Sequence, residues 1–228
     1  MHRLIFDCDG VLVDSEAIAE ATLIDLLGAW LPDLAAEAEL KAALGMTTAN
    51  ILAHLEARSA HRLPPDATER VDETIEARLG RELTAIDGVA EALAGLTLPL
   101  AVVSNSRRQR VLASLATTGL EARLDGVPIF TADQVAAPKP DPALYRLAAA
   151  ELACAPDHCL VVEDSVAGVT AARAAGMTVI GFVGASHVPA GQAERLRAAG
   201  AWQVLDHMRG LEALVQQWRA ARAPAVGS

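Results

Sequence analysis

Apolar and polar positions follow two rhythms along this chain. Leu4-Ile5-Phe6 is a short continuous apolar run of strand character that breaks off into Asp7-Cys8-Asp9, and Gly10 lets the chain turn sharply before Val11. From Ser15 to Leu31 the rhythm is helical. Ile18, Leu23, Leu26, Leu27 and Trp30 lie close to one face, Asp14 or Ser15 caps the start and Pro32 stops it. The same spacing predicts helices over 35–44, 48–60 and 66–83, separated by Gly45-Met46-Thr47 and Leu63-Pro64-Pro65. Nothing between 15 and 85 reads as a strand.

From Asp87 onward short apolar strands alternate with helices. Helices are predicted over 89–96, 107–118, 142–152, 166–175, 190–199 and 210–221, with Asp141 as a cap and Gly119, Gly176 and Gly200 as stops. Strands are predicted over 98–104, 129–131, 159–162, 178–182 and 203–205. This alternation implies α/β architecture: a doubly wound parallel sheet, Rossmann-like, with right-handed crossovers and helices on both faces. The expected core domain is 1–14 with 86–228. Residues 15–85 form an inserted all-helical domain over the sheet's edge.

Composition narrows the picture. With 52% hydrophobic residues and a mean hydropathy of +0.28, the chain builds a packed core. No apolar run approaches the ~18 residues that span a membrane, and the first strand starts without a signal-peptide pattern, so a cytoplasmic protein is expected. Cys8, Cys154 and Cys159 have no metal-ligand spacing and read as reduced, packed thiols. The net charge of −10 argues against nucleic acid or an anionic membrane as partner. Residues 14–85 carry 14 acidic and 6 basic side chains, so most of that charge sits in the helical insertion. An anionic substrate must therefore be held by a few placed donors.

Three predicted strands end in polar residues: Phe6 in Asp7-Cys8-Asp9, Val103 in Ser104-Asn105-Ser106, and Val162 in Glu163-Asp164-Ser165. In a parallel sheet these ends share one edge, where ligands bind. Asp7, Asp9, Glu163 and Asp164 can thus bring up to four mutually repelling carboxylates together. A divalent cation relieves that repulsion, and all-oxygen ligands completed by a substrate phosphate suit Mg²⁺. The alternative is that these carboxylates merely cap the helices that follow. Lys139, one of two lysines against seventeen arginines, lies between Pro138 and Pro140. A compact ammonium there can neutralise both Asp7 and a phosphate oxygen. Ser104, with the backbone N–H groups of Asn105 and Ser106, is suited to phosphate oxygens. No histidine shares a strand end with Ser104, which argues against a serine nucleophile.

Asp7-x-Asp9-Gly10-Val11, Ser104-Asn105, Lys139-Pro140-Asp141-Pro142 and Glu163-Asp164-Ser165-x-x-Gly168, in this order over nearly the whole chain, resemble the haloacid dehalogenase superfamily. The insertion is similar to its α-helical cap domain. The likeness is closest to the sugar-phosphate branch, in particular the bacterial 6-phosphogluconate phosphatases, and it implies a Mg²⁺-dependent phosphomonoester hydrolase. Asp7 would be the nucleophile forming an aspartyl-phosphate, and Asp9 the general acid and then base. The metal would be bound by Asp7, the Asp9 carbonyl and Asp164, with Glu163 a ligand or a partner behind them. Ser104 and Lys139 would stabilise the transferring group, and cap closure would bring residues 45–48 over the substrate. Ser15, Arg107 and Thr47 are candidate contacts on the leaving-group side.

The family's dehalogenases lack the second Asp. Its β-phosphoglucomutases resemble the chain more, but they carry a cap histidine where Ala19 stands and cap cations where Leu44 and Thr48 stand. A phosphorylation-dependent switch and a phosphate-ligand binding module are alternatives of another class. The expected partner is a small phosphorylated metabolite, the protein itself being a monomer or weak homo-oligomer.

Overall fold

The computed structural model describes residues 2–42 and 48–222, with the side chains of 41 and 42 outside the description. It divides into two compact units, Met1–Asp14 with Thr84–Ser228, and Ser15–Leu83.

The helical unit contains α1 (Glu16–Trp30), α2 (Ala36–Ala42), α3 (Thr48–Glu56) and α4 (Ala67–Glu82). Leu23, Leu27 and Leu31 pack with Leu52, Leu55 and Val71 in a core of their own. Ser15 occupies the N-cap position of α1 without a capping hydrogen bond from its side chain. Helix α3 stops at Glu56, short of the predicted 60. The reason is a tertiary competitor. The Asp33 carboxylate accepts hydrogen bonds from Ser59 Oγ (2.5 Å) and Ala60 N (2.8 Å), which pulls that backbone out of the helix.

The other unit is built on six parallel strands: β1 (Arg3–Phe6), β2 (Leu100–Ser104), β3 (Ile129–Thr131), β4 (Cys159–Glu163), β5 (Thr178–Phe182) and β6 (Gln203–Leu205). Their order is β3-β2-β1-β4-β5-β6. Helices α5 (Val89–Gly95), α6 (Arg108–Thr117), α7 (Ala143–Glu151), α8 (Val166–Ala174), α9 (Gln192–Ala198) and α10 (Leu211–Ala220) connect and flank them. Ile5, Val103, Val161 and Val179 pack on one face against Leu144 and Tyr145 of α7, Val169 of α8 and Leu196 of α9. Their neighbours Leu4, Phe6, Val102, Leu160, Val162 and Ile180 point to the opposite face and are equally buried. Burial on both faces is why these strands read as unbroken apolar runs.

Strand β1 lies at the centre, in register with β2 (Phe6↔Val102) and β4 (Phe6↔Val162). Sequence order reverses direction between β1 and β4, so a crevice opens beyond their C-terminal ends. No helix among the described residues is long and apolar enough to cross a membrane.

Candidate active site

Beyond Phe6 the chain leaves the sheet in a tight turn. Asp7 N still donates to Val162 O (3.0 Å), and Cys8 O then accepts from Leu12 N (2.8 Å) and Val13 N (3.1 Å). Gly10 is left-handed, with φ +73°, and the Asp164 carboxylate fills the space its Cβ would need. That glycine lets the loop after β1 and the loop after β4 approach each other. On the far side of the turn, Ser165 is the N-cap of α8, accepting from Gly168 N (2.9 Å). The cap is therefore Ser165, and the Glu163 and Asp164 carboxylates serve elsewhere.

Carboxylate oxygens of Asp7, Glu163 and Asp164 lie within 4.8 Å of one another. Lys139 reaches into this cluster with every ammonium proton placed: Nζ donates to Asp7 Oδ1 (2.9 Å), Glu163 Oε1 (2.6 Å) and Val103 O (3.0 Å). Three diverging acceptors suit a compact ammonium better than a planar guanidinium. Its loop is clamped by Asn105, whose Oδ1 accepts from Lys139 N (2.9 Å) and whose Nδ2 donates to Lys139 O (3.1 Å). Asn105 thus positions the lysine loop through its side chain. The expected contact of Lys139 with a phosphate oxygen requires one of its three present acceptors to give way.

Glu163 is 0% exposed and both of its oxygens are saturated. Oε1 accepts from Lys139 and from the Tyr145 hydroxyl (3.0 Å), while Oε2 accepts from Ser165 N (3.2 Å) and Oγ (3.0 Å). This donor set suits a residue that holds Lys139, not one that ligates a cation directly. Gly168 is required behind it, since a Cβ there would overlap the Glu163 carboxylate.

Burial pulls the Lys139 ammonium down, but the Asp7 and Glu163 charges outweigh it and hold it well above its ordinary value. Asp7 is pushed up to about 8, by burial first and the Glu163 charge second, against the pull of Lys139. Burial, reinforced by Glu163, likewise keeps Tyr145 a phenol and hence a donor. With Asp7 ionised, three carboxylates against one ammonium leave an excess of two negative charges, which a divalent cation fits. Asp7 and Asp164 are the side chains that would hold it.

Asp9 stands apart. The sequence suggested up to four carboxylates in one place; the structure gathers three. The fourth turns toward β2, where Asp9 Oδ2 accepts from Ser106 Oγ (2.8 Å) and Ser104 Oγ (3.4 Å). Ser106 N, read from the sequence as a phosphate donor, donates instead to Ser104 Oγ (3.0 Å). Arg110 Nη2 lies 3.9 Å from Asp9 Oδ1, and its buried Nε has no hydrogen-bond partner.

Arg107 is exposed at the N-cap position of α6. Ser15 is buried within the helical unit, and Thr47 lies outside the described residues, as do residues 44–46. Tyr145 and Arg110 are site residues that sequence reasoning missed. Tyr145 is the chain's single tyrosine, and Arg110 stands one turn beyond the Ser104-Asn105-Ser106 strand end; those were their only signals.

Comparison with known proteins gives the family. The chain is 32% identical over 190 residues to the 6-phosphogluconate phosphatase of Escherichia coli K12, covering 82% of this chain and 85% of that one. Among solved structures, a haloacid dehalogenase-like protein of unknown function from Agrobacterium tumefaciens superposes with a TM-score of 0.86 at 39% identity, covering 98% of this chain and 100% of that one. A HAD family hydrolase from Deinococcus radiodurans, solved with bound phosphate and sodium, superposes with a TM-score of 0.82 at 32% identity over 96% of each chain. Residues 4–182 match the haloacid dehalogenase-like hydrolase family model, and the chain belongs to that family.

Proposed function

We propose that this protein is a Mg²⁺-dependent phosphomonoesterase acting on small sugar phosphates of the 6-phosphogluconate kind through an aspartyl-phosphate on Asp7. The observation that carries the reading is the separation of the two aspartates one residue apart. Asp7 is drawn into the Lys139–Glu163–Asp164 cluster, while Asp9 is held outside it by Ser106 and Ser104. The different surroundings of two carboxylates on one turn support a division of labour, with Asp7 as nucleophile and Asp9 as proton carrier.

In the first step an Asp7 oxygen attacks phosphorus in line, and Asp9 protonates the departing alkoxide. Ser104 and Lys139 donate to the oxygens that gain charge. In the second step Asp9 takes a proton from water, which attacks the aspartyl-phosphate and releases phosphate. Mg²⁺, held by Asp7, the Asp9 carbonyl and Asp164, would supply charge neutralisation across the transferring group. Glu163 fixes the Lys139 ammonium, and Tyr145 fixes Glu163. In this reading the Ser15–Leu83 unit serves as the cap domain.

The test is phosphate release from a panel of sugar phosphates, 6-phosphogluconate included, with and without Mg²⁺, together with acid-quench trapping of phosphoprotein. Release above background, Mg²⁺-dependent and accompanied by a hydroxylamine-labile phosphate on Asp7, is expected. No turnover on any member would overturn the assignment.

A further inference from the structure

Helix α7 ends in a cap that fixes a cysteine. Ala153 is left-handed, with φ 46°, and Cys154 N donates back to Ala149 O (3.0 Å). The chain then passes Ala155 and a 3-10 turn, Pro156–His158, to enter β4 at Cys159, which is in register with Arg3 of β1. Both sulfurs converge on one atom. Cys154 Sγ and Cys159 Sγ each donate to Ala155 O at 3.6 Å, a carbonyl that also accepts from His158 N (2.9 Å).

The two differ in access. Cys154 is half-buried and lines a hollow of about 370 Å³ with Arg146, Ala150 and Pro156, whereas Cys159 is buried. Burial, then the Cys154 sulfur, pushes the Cys159 thiol up to about 12. The third cysteine, Cys8, is 1% exposed between Asp7 and Asp9, and burial and those carboxylates hold its thiol well above its ordinary value. Access and pairing therefore set Cys154 and Cys159 apart from Cys8.

We propose that Cys154 and Cys159 form an oxidation site, closed by peroxide into an intramolecular disulfide. The Cys154 sulfur, which meets solvent first, attacks one peroxide oxygen, giving a sulfenic acid and water. Cys159 sulfur then displaces that oxygen as a second water, and the thiol proton leaves with it. One peroxide is reduced to two waters, and two thiols are oxidised to one disulfide. The bond joins two points the backbone already holds, a helix cap and a strand start. It closes a short loop, so little chain entropy changes. Glu163 sits at the opposite end of β4, outside the closed loop.

The test is treatment of the fully reduced protein with hydrogen peroxide, then denaturing alkylation and peptide mass mapping. Arg146 and Arg173 bound a tryptic peptide, 147–173, that contains both cysteines and no other cleavage site. The expected result is loss of two hydrogens within that peptide, neither cysteine alkylated, Cys8 still alkylated, and full reversal by dithiothreitol. In the Cys159→Ala variant Cys154 should be trapped by dimedone as sulfenic acid. Oxidation of Cys154 to sulfinic acid while Cys159 remains alkylatable would overturn the proposal, as would a disulfide through Cys8 or between chains.

Discussion

Tyr145 and Lys139 meet on a single oxygen of Glu163, the phenol at 3.0 Å and the ammonium at 2.6 Å, with the ammonium 5.2 Å from the centre of the tyrosine ring. The strength of the whole cluster rests on that oxygen. Replacing Glu163 by Gln turns one of its saturated oxygens into an amide facing donors. Removing one partner of a buried ion pair costs about 3 kcal/mol. Urea unfolding should show a loss of that size, with turnover reduced about 100-fold through misplacement of Lys139. Tyr145→Phe keeps the charge and loses one hydrogen bond, so about 1.5 kcal/mol is expected.

Gly168→Ala tests the same assembly from behind. Alanine suits helices, so an exposed site would gain stability. Here the methyl group enters the space of the Glu163 carboxylate, and a loss of about 2 kcal/mol is expected from overpacking. A variant as stable and active as the parent would show that Glu163 can sit elsewhere.

The position of Asp7 ties stability to pH. Its carboxyl is raised to about 8 in the folded protein, against an ordinary value near 4, so over that interval the folded state holds a proton that the unfolded chain has lost. This contribution is complete below about pH 4 and disappears as pH rises through about 8. Cation binding needs the ionised carboxylate, so the sign reverses for the rise in melting temperature on adding Mg²⁺. That rise should grow between about pH 5 and about pH 8, and melting curves with and without Mg²⁺ would measure it.

Arg110 and Asp9 make a kinetic prediction. A guanidinium 3.9 Å from Asp9 helps hold the carboxylate where Ser106 presents it. Arg110→Gln should slow hydrolysis of alkyl phosphates about tenfold, a fraction of what general acid catalysis contributes. Its burst on an aryl phosphate, whose leaving group needs no proton, should be little changed. Equal losses on both substrates would assign Arg110 to stability alone.

Asp7→Asn should abolish turnover while leaving Mg²⁺-dependent substrate binding partly intact, measured by calorimetry. Retained activity would remove Asp7 from the nucleophile role.

Strand ends were readable because a buried parallel strand is an unbroken apolar run, and Asp7, Ser104 and Glu163 each mark where one stops. Lys139 was readable for its rarity and its proline flanks. What local pattern could not supply is any choice between competing partners. Asp9 faces Ser106 instead of the other carboxylates, Ser106 N is taken by Ser104, and α3 unwinds toward Asp33 because of contacts between residues far apart in sequence. Tyr145 looks like any core aromatic until its hydroxyl finds Glu163.

The central place of β1 has a consequence for synthesis. Its partners are Leu100–Val102 on one side and Cys159–Val162 on the other, so β1 leaves the ribosome before either of them and is enclosed only once β4 has followed. Until β4 emerges, Leu4, Ile5 and Phe6 have one open flank, and Asp7 lacks Glu163, the carboxylate that shares Lys139 with it. A nascent chain stalled before residue 159 should therefore be inactive and prone to capture by chaperones.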